Sequence, residues 1–403
     1  MNTLEVPAHP VRPRDAADPA RPLRYLILRA HPGRSRADFY NCQELGLAAF
    51  LQRPEIQVGV AAVLDDDVNK LDPRLRIHQL QFRPKHPAVA LISNLPDLDL
   101  PNYDIIQISD LCLPGNLQVV LRAPKRSRFL LYQGHYPEPI GRARRLRVLQ
   151  SHLTAAALRK RQHVVLAKSA AASVFAERLG LGHASVAGVG LVAEHLLAPQ
   201  PPPAEVSEFI ARSRFVFLYV GQLNERRPLD WVLGHLRSAG LTHASLLVIG
   251  RGTALPRLQQ EGADLVEAGR LMFAGTLNQS QLGAIYREVD CLVLPTRFEI
   301  FGMVCLEAVL FGLPVIASAV AGPAAVWAQF PKQVRLVAEG RNPEGWDRAL
   351  RAVLQEGRAP RTREPDGRLT RLLSWETPGQ HFLRGVERLL AAPTPIASGG
   401  RAA

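Results

Sequence analysis

Short apolar runs alternate with helix-patterned segments along the whole chain. In the first half the runs cover residues 25–28, 58–64, 76–82, 103–109, 129–133, 164–167 and 185–189; in the second they cover 215–220, 246–249, 271–273, 291–294, 315–318 and 334–337. Most lack the apolar–polar alternation of a half-exposed strand. They read as strands covered on both faces, the condition of a parallel sheet. Helical patterns fall between them, for example at 40–51, 229–238, 279–288 and 303–311. Strand alternating with helix predicts an α/β fold of doubly wound parallel sheets.

The alternation is broken once, by Ala198-Pro199-Gln200-Pro201-Pro202-Pro203, which cannot lie inside a helix or a central strand. A chain of 403 residues is long enough for two domains. The expected division is a disordered tail at 1–21, a first Rossmann-like domain at 22–197, a Pro-rich linker at 198–208 and a second at 209–375. An amphipathic helix at 376–391 then returns toward the first domain, and 392–403 is a loose tail. Two such domains face each other across a cleft, with ligands at the carboxyl ends of their strands.

Composition narrows the class. At 47% hydrophobic and 21% charged residues the chain reads as a globular protein. Cys42, Cys112, Cys291 and Cys305 form no C-x-x-C pair and sit in apolar surroundings, so neither a zinc knuckle nor a disulfide framework is expected, and reduced cytosol is the natural compartment. The N-terminus lacks the apolar core of a secretory signal. Residues 308–330 are uncharged, but Gly312, Pro314, Gly322 and Pro323 cut them into a buried helix, a strand and a loop rather than a membrane span.

Chemistry concentrates at 290–322. A strand, 291–294, leads into a loop carrying Glu299, and a helix follows Gly302 until Gly312 and Pro314 end it. Glu299 therefore stands at a strand's carboxyl end, and Gly302 lets a ligand approach the backbone. Glu307 has only apolar helix neighbours from Met303 to Phe311, and no Lys or Arg on its own helix. Two readings stand open. Glu307 is sequestered and receives donors from a ligand diol while the helix N-terminus holds a diphosphate, or it points outward and Glu299 merely complements the helix dipole.

Glu299-Ile-Phe-Gly-Met-Val-Cys-Leu-Glu307, followed by Ala308, Gly312, Pro314-Val315-Ile316-Ala317-Ser318 and Gly322, resembles the E-x7-E signature of the retaining GT-B glycosyltransferases of family 4. Phe215 through Leu223 with Arg226-Arg227, Val248-Ile249-Gly250-Arg251-Gly252 and Phe273-Ala274-Gly275 match that family's preceding segments in order. The resemblance implies a GT-B fold and transfer of a sugar, with retention, from a UDP- or GDP-linked donor to a hydroxyl of a glycan or glycolipid in cell-surface polysaccharide assembly. It implies an EC 2.4 hexosyltransferase with no cofactor and no metal. Glu307 would hold the donor ribose, Glu299 the sugar, and the backbone of Phe301, Gly302, Met303 and Val304 the sugar and pyrophosphate. Phe273, Ala274 and Gly275 would meet the base, and Gly221, Arg226, Arg227 and Arg251 the phosphates. Gln222 stands where the family has an Arg. In the first domain, the segment from Leu26 through Gly33 and Arg34 to Ala48 resembles the family's first strand, phosphate loop and helix. Residues 129–134 resemble the strand after which a His reaches the active site, here His135, which also reads as a structural loop residue.

The formal charge is +13, of which +9 lies in residues 1–200, with 26 basic against 17 acidic residues. Between Arg122 and Arg161 eleven basic residues stand against Glu138 alone. The patch suits an anionic membrane surface or a phosphorylated lipid, and it also reads as a solvated face. Without interleaved aromatic residues it does not suit nucleic acid. Asp65-Asp66-Asp67 and Asp97-Leu98-Asp99 spell the D-x-D of metal-dependent GT-A enzymes, a pattern that acidic turns also produce. Gly250-x-Gly252 lacks the third Gly of a dinucleotide fingerprint. The competing functions are a non-transferring GT-B enzyme such as a nucleotide-sugar epimerase, and a degenerate sugar-nucleotide binding module.

Overall fold

A computed structural model of the chain describes residues 21–33, 43–64, 73–86, 88–135, 144–338, 342–358, 364–365 and 367–391. Residues 1–20 of the expected tail at 1–21, the expected tail at 392–403, Arg34, Cys42, Asp65–Asp67 and Glu138 lie outside the described residues, while Arg21 pairs with Asp104 at 2.7 Å.

The first sheet consists of β1 (Leu23–Leu28), β2 (Ile56–Ala62), β3 (Arg76–Gln79), β4 (Ile105–Ser109), β5 (Arg128–Gln133), β6 (His163–Ala167) and β7 (Ala184–Val186). They are all parallel, in the spatial order β3-β2-β1-β4-β5-β6-β7. The second consists of β8 (Phe215–Val220), β9 (Ala244–Ile249), β10 (Leu271–Phe273), β11 (Cys291–Leu294), β12 (Val315–Ser318) and β13 (Val334–Val337). Its order is β10-β9-β8-β11-β12-β13, again all parallel. The thirteen apolar runs are thus the thirteen strands of two doubly wound sheets. In each, the order reverses beside the first strand, β1 next to β4 and β8 next to β11, so each opens a crevice at its carboxyl edge there. β8 shows why these residues form a central strand: all six positions are buried and β-branched or aromatic residues dominate.

Three expectations are corrected. The Pro-rich linker ends at 203, because Ala204–Arg212 is a helix that buries Val206, Phe209 and Ile210. The last piece of 308–330 is a helix, Ala321–Gln329, and not a loop. Its Pro323 lies in the first turn, where a missing N–H removes no helical bond. The helix expected at 229–238 divides at Gly234 into Asp230–Leu233 and a 3-10 turn, His235–Arg237. No described helix is long and apolar enough to cross a membrane.

The last helix, Glu376–Ala391, packs on β5 and β6 of the first domain. Phe382 meets Tyr132 edge to face at 4.9 Å, and Trp375 meets Phe382 at 6.3 Å. The chain therefore ties its end back to the domain it began with. Cys112, Cys291 and Cys305 are buried.

Candidate active site

On the second domain, the turn after β8 brings Arg227 back beneath the strand's carboxyl end. Gly221 makes this possible. Its φ is +153°, and a Cβ there would lie 1.9 Å from Arg227 Nη1. Arg227 Nη2 donates to Glu299 Oε2 at 2.5 Å, and both side chains are about nine-tenths buried. Burial disfavours the Arg227 cation, but the charge of Glu299 and the contact with Tyr219 outweigh it, and the Arg227 pKa is raised. Burial pushes the Tyr219 hydroxyl up to about 12; that hydroxyl donates to the Gln222 carbonyl at 2.8 Å. The Glu299 loop is pinned from both sides. Arg297 N–H donates to the Arg226 carbonyl at 2.8 Å, and Gly322 N–H donates to the Glu299 carbonyl at 3.1 Å. Gly302, at φ +81°, caps the helix Met303–Leu310, whose free N–H groups open beside this loop.

Glu307, one turn into that helix, is 5% exposed. The outward-pointing reading is excluded. Its Oε2 accepts a hydrogen bond from the Tyr286 hydroxyl at 2.8 Å. Burial raises its pKa to about 7, against the lowering effect of that bond. Tyr286 in turn stacks on Phe311, with ring centroids 5.6 Å apart. The donor to Glu307 thus comes from another helix, Gln279–Glu288, and the protein itself supplies one of the hydroxyls. Tyr286 shares the buried face of that helix with Leu282 and Ile285. A tyrosine on an apolar face must find a hydroxyl partner, and this was the available signal.

The first domain contributes residues that the sequence reading does not contain. Asp110 follows β4 in a left-handed conformation, φ +65°. Its Oδ1 accepts from the backbone N–H of Gly134 at 2.7 Å and of His135 at 2.9 Å. Burial would raise the Asp110 pKa, but Lys168, His135 and the two amides together hold it below the usual value. Lys168 follows β6; its side chain is buried, with Nζ 4.7 Å above the Tyr132 ring. A Cβ on Gly134 would meet Lys168 Cδ at 2.6 Å and Ile300 Cγ2 at 2.8 Å, and the His135 ring lies 5.3 Å from that of Phe298. Gly134 and His135 of the first domain therefore touch the Phe298–Ile300 stretch of the second, and Asp110, Lys168, His135, Arg227 and Glu299 converge on one cleft. The signal for Asp110 and Lys168 was a charge placed directly after an apolar strand.

Residues 214–356 match the family model described as Glycosyl transferases group 1. Among curated proteins, the D-inositol 3-phosphate glycosyltransferase of Geodermatophilus obscurus is 32% identical over 201 residues, 47% of this chain and 42% of that one. The chain's matches span less than half the length of such curated relatives. Among solved structures, sucrose-phosphate synthase from Thermosynechococcus elongatus superposes with a TM-score of 0.65 at 20% identity, over 92% of this chain and 100% of that one. Anabaena Alr3699/HepE in complex with UDP-glucose gives 0.66 at 15% identity, over 91% and 100%. The fold is GT-B.

Within the GT-B cleft the remaining expected residues fall around the same strand ends. Phe273, Ala274 and Gly275 close β10, with Gly275 accepting from Gly250 N–H at 2.6 Å. Exposed Arg251 donates to Thr276 Oγ1 at 2.7 Å. Phe301 is buried and Met303 and Val304 are half-buried along the loop and helix start. Exposed Gln222 accepts from Asn224 through its side-chain carbonyl at 3.2 Å, and Arg226 N–H donates to Asn224 Oδ1 at 3.1 Å. Gly33 lies after β1, its N–H bonded to His31 Nδ1 at 2.9 Å and its carbonyl to Arg29 Nη1 at 2.8 Å. Asp97 and Asp99 belong to a pair of 3-10 turns, where Asp99 accepts from Asn102; that is the acidic-turn reading of this D-x-D.

Proposed function

We propose that this chain is a glycosyltransferase moving a sugar from a nucleoside diphosphate donor to a hydroxyl of a glycan or glycolipid acceptor, with retention of configuration and without a metal ion. The observation that carries the reading is the buried Arg227–Glu299 pair beside the Gly302 helix start, because it holds a cation in place at the strand edge where a diphosphate would bind. The matched group 1 family model over that same domain supports it.

In this reading Arg227 and the N–H groups of the Met303–Leu310 helix take the negative charge that develops as the anomeric carbon–oxygen bond to the diphosphate breaks. The acceptor oxygen bonds to the anomeric carbon on the same face, and its proton passes to the departing phosphate oxygen. Glu299 orients the sugar, and Glu307, already holding the Tyr286 hydroxyl, accepts from the donor ribose. Lys168, Asp110 and His135 face the acceptor side. The test is incubation with UDP-glucose and with GDP-mannose, with and without candidate acceptors. Release of nucleoside diphosphate and an α-configured product are expected. Epimerised donor without transfer would favour the epimerase, and binding without turnover the degenerate module.

A second element of the proposal is contact with an anionic membrane. The helix Arg144–Leu158 exposes Leu146, Leu149 and Leu153, and Leu121 on the adjoining helix is 64% exposed, among Arg122, Lys125, Arg126, Arg144 and Arg145. An apolar stripe flanked by cations suits the interface of an anionic bilayer. Flotation with anionic vesicles at low salt, weakened at high salt and by Leu149→Ser/Leu153→Ser, is the expected result; no dependence on either removes this element.

A further inference from the structure

The helix Gln279–Glu288 works with two faces. Leu282, Ile285 and Tyr286 form the stripe turned to the core, and from it the Tyr286 hydroxyl reaches Glu307. Ser280, Gly283 and Arg287, spaced three and four apart, share a second face. That face holds residues 194–200, with which the chain leaves the first domain. The short helix Glu194–Leu197 packs on it. Beyond that turn, Pro199 and Pro201 end the helix, and the bond that would join the Gln200 N–H to the Leu196 carbonyl is replaced by two others. The Gln200 N–H donates to the Ser280 carbonyl at 3.1 Å, and Arg287 Nη1 donates to the Leu196 carbonyl at 3.3 Å and to the Gly283 carbonyl at 2.7 Å.

This attachment runs against local preference. A glycine inside a helix destabilises it, yet at Gly283 a Cβ would lie 2.1 Å from the Leu196 oxygen, so only glycine lets the crossing segment come this close. Arginine is almost never buried unless its donors are met, yet Arg287 is 9% exposed and its Nε has no partner among the described residues. Its ion pair with Glu364, at 3.5 Å, involves an exposed carboxylate and adds little. What holds the guanidinium is the pair of carbonyls and the Phe311 ring, whose centroid lies 4.9 Å from Arg287 Cζ. Phe311 also stacks on Tyr286 and caps the carboxyl end of the helix that carries Glu307. Arg287 therefore joins the crossing segment to both members of the Tyr286–Glu307 bond.

We propose that Arg287 is a positioning residue for the donor: it fastens the crossing segment to the helix Gln279–Glu288 and, through Phe311, keeps the Tyr286 hydroxyl on Glu307. The proposal rests on the reading in which Glu307 accepts from the donor ribose. Arg287 acts on the donor by way of Tyr286, so the two residues count as one unit in donor affinity.

The full chain is titrated with UDP and with GDP by calorimetry. Tyr286→Phe and Arg287→Met should each weaken binding of the nucleotide that is taken up by about tenfold. The double variant should also lose about tenfold, whereas independent effects would multiply to roughly a hundredfold. Arg287→Lys, the milder change, keeps a cation for Phe311 and a donor for a carbonyl, and should restore part of the affinity. Gln281→Ala removes the capping box of the same helix; it should lower stability and leave affinity unchanged, which separates positioning from plain destabilisation. Unchanged affinity in Arg287→Met, no effect of Tyr286→Phe, multiplied losses in the double variant, or an equal loss in Gln281→Ala overturns the proposal while the donor reading stands. Binding of neither nucleotide by the unaltered chain overturns the donor reading, and the proposal with it.

Discussion

The carboxyl ends of the two sheets are built on one strand order and carry opposite electrostatic solutions. In the second domain a cation and a carboxylate, Arg227 and Glu299, neutralise each other in burial, and Gly221 exists to admit the guanidinium. In the first domain Asp110 is held by two backbone amides and by the charge of Lys168, while Lys168 rests on the Tyr132 ring. One end is a closed ion pair that an anion can enter by competing for Arg227. The other is a set of separately supported groups turned toward the partner domain. The sheet decides where a ligand lies; the residues just past the strand ends decide which charge it meets.

The sharpest way to break this contrast is Arg227→Ala. Removing one partner strands a buried carboxylate, so urea unfolding should report a loss of about 3–5 kcal/mol, and donor turnover should fall by roughly 10²–10³-fold. The Arg227→Ala/Glu299→Ala double variant should regain most of the stability and none of the turnover. A double variant as unstable as the single one would show that the two groups are not coupled.

Next in size is Glu307, the carboxylate that has a hydroxyl instead of a cation. Its folded-state pKa of about 7 lies above the ordinary 4.5, so between these values the folded state holds the proton more tightly than the unfolded one. The stability it contributes is fully present below about pH 4.5 and is lost as pH rises to about 7, by up to about 3 kcal/mol. Glu307→Gln should remove that slope, read as the difference between the two proteins' unfolding free energies across pH 4.5–8, and should weaken donor binding. Identical slopes would mean that Glu307 is solvated.

How much of this was legible follows from distance along the chain. The strands were legible because a strand covered on both faces is a local run of apolar residues, as in Phe215–Val220. Burial of Glu307 was one of the two readings that its apolar helix left open. The partners were not legible. Arg227 and Glu299 are 72 positions apart and Tyr286 and Glu307 21, and only the packed sheet brings them together. Pro hid two helices, Ala204–Arg212 and Ala321–Gln329, since a proline before or within a first turn looks like a break in sequence but costs the helix no hydrogen bond.

A smaller effect tests the contact between the two ends. Gly134→Ala places a Cβ against Lys168 and Ile300, and should cost about 1–3 kcal/mol by overpacking. Ile300→Ala added to it should recover part of this cost, because the clash on the second-domain side is then removed. No recovery would place the strain wholly on Lys168.

The smallest change in stability should come from Lys168→Met, which keeps the packing of the stem over Tyr132 and removes the charge. A buried cation over an aromatic ring is worth about 1–2 kcal/mol, and Asp110 loses the Lys168 charge but retains both amide donors, so unfolding should shift by about that amount. The effect on chemistry should be selective. Lys168 belongs to the first domain, whereas in the proposed reaction Arg227 of the second meets the donor's charge. Transfer to acceptor should therefore fall about tenfold, with a raised acceptor KM, while hydrolysis of the donor by water stays near its original rate. If hydrolysis and transfer fall together, Lys168 serves the donor, and the division of labour between the two sheet ends does not hold.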